Sequence, residues 1–70
     1  MSQPDYPKIT LSFEYRGWKI ELDQSEENGQ IAYAAWANDA TSSVVAVPYA
    51  ASQKLAIQKA KRWVDSRLSI

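Results

Sequence analysis

The dipeptide Arg16-Gly17 separates two runs of alternating apolar residues, and it constrains the fold of this 70-residue chain more than any other feature. Apolar side chains occupy odd positions before it and even positions after it, so the alternation changes phase between residues 15 and 18. Because successive side chains of a strand point to opposite faces, a two-residue hairpin turn explains the change and places both apolar sets on one face. The predicted cross-strand pairs are Tyr15 with Trp18, Phe13 with Ile20, and Leu11 with Leu22, and Ile9 continues the same apolar face.

Turn-forming segments divide the next thirty residues into further predicted strands. Asn28-Gly29 supplies the positive φ that a reversing chain needs, and Pro48 ends a fourth apolar run. Tyr33 and Trp36 have opposite parity in the third strand, so one of the two rings points away from the core. The pattern leaves open which ring this is, and whether strand four pairs in the sheet. The predicted bounds are 8–15 and 18–23 for the first two strands, 24–30 for a polar loop, 31–38 for strand three, 39–43 for a second polar turn, and 44–47 for strand four.

Residues 52–70 have the sequence of an amphipathic helix. Ser52 is a suitable N-cap, and no Gly or Pro follows it. Apolar residues recur at helical spacing, and the alanines among them permit a close approach to a sheet. The predicted apolar stripe comprises Ala56, Ile57, Ala60, Trp63, Val64 and Leu68, and the predicted outer side comprises Lys54, Gln58, Lys61, Arg62 and Asp65.

Together these elements predict an α+β fold, in which an antiparallel three- to four-stranded β-meander is packed on one face by a C-terminal α-helix. We expect residues 8–70 to form a single domain and residues 1–7, with two prolines, to be a flexible N-terminal lead-in. A chain of this length buries a thin core, and without cysteine it has no disulfide to support that core, which raises the expectation of self-association. The absence of cysteine, of a signal-like start and of a bilayer-length apolar run favours a soluble, cytoplasmic protein without membrane insertion.

The charges balance over the whole chain but not within each part of it. The formal net charge is zero, with eight basic and eight acidic residues. Residues 52–70 carry five cations against Asp65, a net charge of +4, whereas residues 1–51 carry three cations against seven acids, a net charge of −4. The chain therefore lacks the overall positive charge typical of nucleic-acid binders and is predicted to be strongly dipolar.

The residue types that usually carry catalysis or bind metals are mostly missing. There is no histidine or cysteine, so Ser42, Ser43 and Ser52 lack the general base that usually activates a serine nucleophile. The acidic turn at 23–28 matches no calcium-loop spacing, and a single glycine at position 17 cannot build a phosphate loop. We therefore expect no enzyme activity, no catalytic residue, no metal and no cofactor.

Aromatic residues are the better indication of binding. Three Trp and four Tyr exceed what one thin core readily buries, so we expect at least one of the candidate rings to be exposed and to anchor a partner. The edge of strand four, residues 44–47, is a second candidate docking place. The prediction is a small non-catalytic module that binds another protein or itself. The alternative is DNA binding through the sheet face, although three carboxylates beside two cations on that face oppose it. On the helix, Lys54, Lys61 and Arg62 could contact phosphates. The candidate rings are Tyr6, Tyr33, Trp36 and Tyr49, and the predicted partner-binding residues are Tyr33, Trp36, Arg16 and Lys19.

Two resemblances follow from the motifs Tyr15-Arg16-Gly17, Tyr33-Ala-Ala-Trp36 and the helix sequence at 56–65. The chain resembles many small bacterial proteins with a Tyr-x-Gly hairpin and an alanine-bearing C-terminal helix, and this likeness implies a fold without a function. In topology it is similar to the plant ethylene-response-factor type of DNA-binding domain, which reads the major groove with a three-stranded sheet. That likeness implies DNA contacts by Arg16, Lys19 and Trp36, although this sheet lacks the series of arginines and tryptophans that contacts DNA in that family.

Overall fold

The computed structural model describes residues 8–68, which form one antiparallel sheet and one helix. The sheet order is β1-β2-β3-β4, and the helix lies over β2, β3 and β4. This confirms the predicted α+β meander in its four-stranded form. The predicted lead-in at 1–7 lies outside the described residues. The elements are β1 (Lys8–Tyr15), β2 (Trp18–Glu27), β3 (Gln30–Asn38), β4 (Ser43–Ala50) and α1 (Gln53–Leu68).

The first hairpin has the predicted turn and the predicted register. Arg16 and Gly17 both adopt positive φ, 51° and 88°, as a two-residue type I′ turn requires. The pairs Tyr15–Trp18, Phe13–Ile20 and Leu11–Leu22 are all present. The prediction for Ile9 is wrong, because a bulge between Ile9 and Leu11 shifts Ile9 opposite Asp23 and so onto the other face of the sheet.

Two strands are longer than the sequence pattern predicts. Strand β2 continues through the polar residues 24–27, because each of them pairs with β3, and the predicted loop shrinks to the turn at Asn28-Gly29. Both turn residues have positive φ, at 53° and 76°. Strand β4 continues through Pro48 and pairs with β3 again at Ala50. Between the Ala35–Val47 and Tyr33–Ala50 pairs, two residues of β4 lie opposite one residue of β3, so the pairing is irregular there. In such an irregular edge segment the missing N–H of proline is tolerated.

The core between sheet and helix is small and rich in alanine. Five of its nine fully buried residues are alanines, so the helix can lie close to the sheet. Ser52 caps the helix as predicted, since its Oγ accepts a hydrogen bond from the Leu55 N–H at 3.1 Å. Leu68 does not belong to the apolar stripe and is 42% exposed, because the buried side of α1 ends one turn earlier. The buried residues are Ile20, Leu22, Ala35, Ala37, Val47, Ala50, Ala56, Ala60 and Val64.

Candidate functional site on the outer sheet face

Trp36 lies on the face of the sheet that the helix does not cover, which we call the outer face. Its strand neighbours Ala35 and Ala37 are fully buried on the helix side, so Trp36 points the other way. Tyr33 shares the parity of Ala35 and packs against the core. Of the two rings between which the sequence could not decide, Trp36 is therefore the outward one.

A shallow groove of about 280 Å³ runs beside Trp36 on this face. Ile9, which the bulge in β1 brings to the outer face, forms part of its wall and is 46% exposed. Val45 is paired with Trp36 across β3 and β4 and is 45% exposed. Three apolar side chains, Ile9, Trp36 and Val45, thus lie on a face where the sequence predicted a single ring, either Tyr33 or Trp36. The groove is lined by Ile9, Glu21, Trp36, Asn38 and Ser43.

Hydrogen bonds fix the polar side chains that surround the groove. The Trp36 Nε1–H donates to Asp23 Oδ2 at 3.2 Å, which sets the orientation of the indole ring. The Asn38 amide donates to Glu21 Oε1 at 3.0 Å, and Ser43 Oγ donates to Asn38 Oδ1. Each strand from β2 to β4 contributes to this network, so the groove has a defined shape before any ligand arrives.

The outer face is acidic. Glu14, Glu21 and Asp23 all lie on it, and Lys19 is the cation that stands beside them, with its Nζ 4.0 Å from Glu21 Oε2. The opposite side of the molecule carries the exposed cations of the helix, among them Lys54, Lys59 and Arg62. The dipole predicted from the sequence therefore runs from the sheet layer to the helix layer. An acidic face with apolar side chains at its centre suits a ligand that combines positive charge with an apolar group.

Arg16, one of the predicted partner-binding residues, ties the first hairpin to the helix. Its Nη1 donates to Asp65 Oδ1 at 2.8 Å, and the Tyr15 hydroxyl donates to the same carboxylate at 2.9 Å. These two donors hold the pKa of the Asp65 carboxyl below its ordinary value, and the hydrogen bond to Asp65 raises the pKa of Tyr15. The Asp65 side chain stays 45% exposed, but the hairpin turn reaches over to it and gives it two donors that the sequence did not predict.

Four aromatic rings, those of Phe13, Tyr15, Trp18 and Trp63, form a rim between the helix and the first hairpin. Trp18 and Trp63 meet edge to face with ring centroids 5.2 Å apart. Lys61 is exposed, as predicted, and its Nζ lies over the rings of Phe13 and Tyr15 at 5.9 and 5.4 Å. Most of the aromatic surplus therefore stabilises the contact of the two layers.

Tyr49 on β4 is 60% exposed, which confirms the prediction that at least one ring of the candidate set lies on the surface. It stands apart from the groove, whose lining does not include it. The predicted site residues are therefore separated in space: Trp36 and Lys19 lie on the outer face, Arg16 lies at the hairpin tip, and Tyr33 packs against the core.

Within residues 8–68, no three acidic side chains come close enough together to hold a metal ion. The same part of the chain forms no helix with the length and apolar character needed to cross a bilayer. Comparisons of the chain with known protein families, with curated proteins and with solved structures found no match. The resemblances drawn from the sequence motifs therefore stay predictions.

Proposed function

We propose that this protein is a non-catalytic binding module whose outer face takes up a positively charged, extended segment of another protein. The observation that carries the proposal is the position of Trp36: its ring lies on the sheet face left free by the helix, between the half-exposed Ile9 and Val45. Trp36 itself is part-buried, and a tryptophan held at the surface beside exposed aliphatic side chains is typical of the centre of a protein interface.

The hydrogen bonds of the groove support binding over catalysis. The Asp23 carboxylate is engaged by the indole of Trp36, and the Glu21 carboxylate is engaged by the Asn38 amide. Both acids thus serve to hold neighbouring side chains in place. A ring held in advance loses little conformational freedom when a partner arrives, and this favours affinity.

The charge of the outer face supports a cationic protein segment over nucleic acid. Three carboxylates, those of Glu14, Glu21 and Asp23, stand on the face against the single ammonium group of Lys19. DNA phosphates would be repelled by this arrangement, whereas lysine or arginine side chains on either side of an apolar anchor would be attracted. DNA binding through this face is therefore the weaker candidate, and the experiment below measures it directly.

The test begins with selection of displayed random peptides against the immobilised protein. We expect the enriched peptides to carry Lys or Arg on both sides of an aliphatic or aromatic residue. A fluorescent copy of one such peptide is then titrated by anisotropy with the wild-type protein and with Trp36→Ala. Loss of the Trp36 ring should weaken binding by at least about tenfold, as for a central interface aromatic.

Two controls separate the groove from general effects of substitution. Tyr49→Ala removes an exposed ring from elsewhere on the surface and should leave the affinity unchanged. Asp23→Asn keeps an acceptor for the indole and lowers the negative charge, so it should weaken binding, whereas Glu26→Gln, at an exposed site on the other side of the sheet, should not. The proposal fails if enriched peptides bind Trp36→Ala as well as they bind the wild type, or if labelled duplex DNA binds more tightly than the peptides at low salt.

A further inference from the structure

Of the two outer strands of the sheet, β1 presents the more regular free edge. Strand β4 is interrupted at two places in its pairing with β3, and it contains Pro48, both of which hinder the addition of another strand. In β1, the stretch from Leu11 to Tyr15 is regularly paired and contains no proline and no lysine. Proline and interrupted pairing therefore protect the edge of β4 and are absent from this part of β1, where the charge of Glu14 is the protection that stands.

The turn geometry determines which backbone groups of β1 face outward. In a two-residue hairpin, the residues next to the turn, here Tyr15 and Trp18, exchange backbone hydrogen bonds, and every second pair along the ladder does so as well. Phe13 is therefore bonded to Ile20, while the N–H and C=O groups of Ser12 and Glu14 point away from β2. These groups are positioned to pair with a further strand.

The helix also leaves the side chains of β1 incompletely covered. Leu11, Phe13 and Tyr15 point to the helix side but are only partly buried, since α1 lies over β2, β3 and β4. Lys61 reaches over two of these rings from the helix. An apolar strip thus continues from the core to the very edge of the sheet.

We propose that this edge binds a second copy of the chain, with the two β1 strands antiparallel about a twofold axis at Phe13. In this register the regular stretch 11–15 pairs with itself: Phe13 lies opposite Phe13, Leu11 opposite Tyr15, and Ser12 opposite Glu14 of the second copy. The helix-side pairs are then all apolar, the outer pairs join a hydroxyl to a carboxylate, and no like charges stand directly opposite. The outward backbone N–H and C=O groups of Ser12 in one copy lie opposite those of Glu14 in the other, as an antiparallel hydrogen-bond ladder requires.

The strand pairing carries the choice of a second copy as the occupant of this edge, and the net charge does not oppose it. The formal net charge of the chain is zero, so two copies do not repel each other as whole molecules. Glu14, the one charged residue between positions 9 and 15, already has Lys19 as its cross-strand neighbour on β2. The result is an eight-stranded sheet with both helices on the same face.

Sedimentation velocity tests the inference. Protein concentrations from about 10 µM to about 1 mM cover the dissociation constants expected of a small interface. We expect a reversible dimer. Ser12→Glu places like charges opposite each other at two symmetric positions and should weaken the dimer by about two- to fivefold for each pair. Adding Glu14→Lys to that variant converts both pairs into attractive ones and should restore the dimer.

Tyr49→Glu is the matched control, since it introduces the same charge at an exposed position of the other edge strand and should leave the dimer constant unchanged. Isotope-filtered nuclear Overhauser effects between Leu11 of one copy and Tyr15 of the other give a second readout that needs no substitution. A single monomeric species up to the highest concentration would overturn the inference, as would a dimer that Tyr49→Glu weakens and Ser12→Glu does not. Because no peptide is present, this result is independent of the proposed function.

Discussion

The buried alanines between helix and sheet lead to a specific prediction for one substitution, Ala60→Leu. Ala60 is fully buried, and the sheet beneath the helix presents two further fully buried alanines, Ala35 and Ala37. If room were available, three added methylene-sized groups would stabilise the fold by about 0.8 kcal/mol each, or about 2.4 kcal/mol in all. Where the layers are in close contact, the larger side chain forces them apart and costs about 1–3 kcal/mol instead. The account predicts the second result.

The free energy of unfolding is measured by urea titration with far-ultraviolet circular dichroism. For a domain of 60–100 residues a loss of 1 kcal/mol lowers Tm by about 4–8 °C, so the predicted effect is easily resolved. Gln58→Leu provides the control, because it places the same side chain on the exposed side of the same helix and should change stability by less than about 0.5 kcal/mol. A more stable Ala60→Leu protein would show that the helix does not lie close to the sheet, and the packing argument would be wrong.

Three further predictions concern the tie between hairpin and helix, the turn and the cap. The lowered pKa of Asp65 stabilises the fold above about pH 4, and this contribution is lost as the pH falls through the folded pKa. The urea midpoints of Asp65→Asn and wild type should therefore differ at pH 7 and approach each other as the pH falls below about 4; a constant difference would contradict the role of the Arg16 and Tyr15 donors. Gly17→Ala adds a Cβ that meets no atom within 4 Å but must adopt φ near +88°, so it should cost about 1–2 kcal/mol, and a neutral effect on the urea midpoint would refute the assigned turn. Ser52→Ala should cost about 1 kcal/mol and Ser52→Asp should not, as thermal melts of both variants would show.

Those parts of the fold that depend on local pattern could be predicted from the sequence. The first hairpin follows from the phase change at Arg16-Gly17, since side-chain alternation and turn length together define the register. The helix and its cap follow in the same way from Ser52 and the spacing of apolar residues. Parity likewise predicted that only one of Tyr33 and Trp36 could point inward.

The parts that depend on neighbouring strands could not be predicted in this way. The polar segment 24–27 reads as a loop, and it becomes strand because β3 supplies pairing partners along its whole length. The bulge that turns Ile9 outward leaves no mark in the alternation of β1, so one wall of the groove was assigned to the core. Lys61 and Asp65 read as solvated helix residues, and only the position of the hairpin over the helix shows their contacts.

The proposed function assigns partner binding to the outer face around Trp36. The most direct test is a titration of the ¹⁵N-labelled protein with a selected basic peptide, followed by heteronuclear correlation spectra. The account predicts that the indole N–H of Trp36 and the backbone amides of Ile9, Glu21 and Val45 shift, while the amides of the helix from Gln53 to Leu68 stay in place. Shifts confined to the helix, or an indole resonance of Trp36 that does not move at saturation, would contradict it.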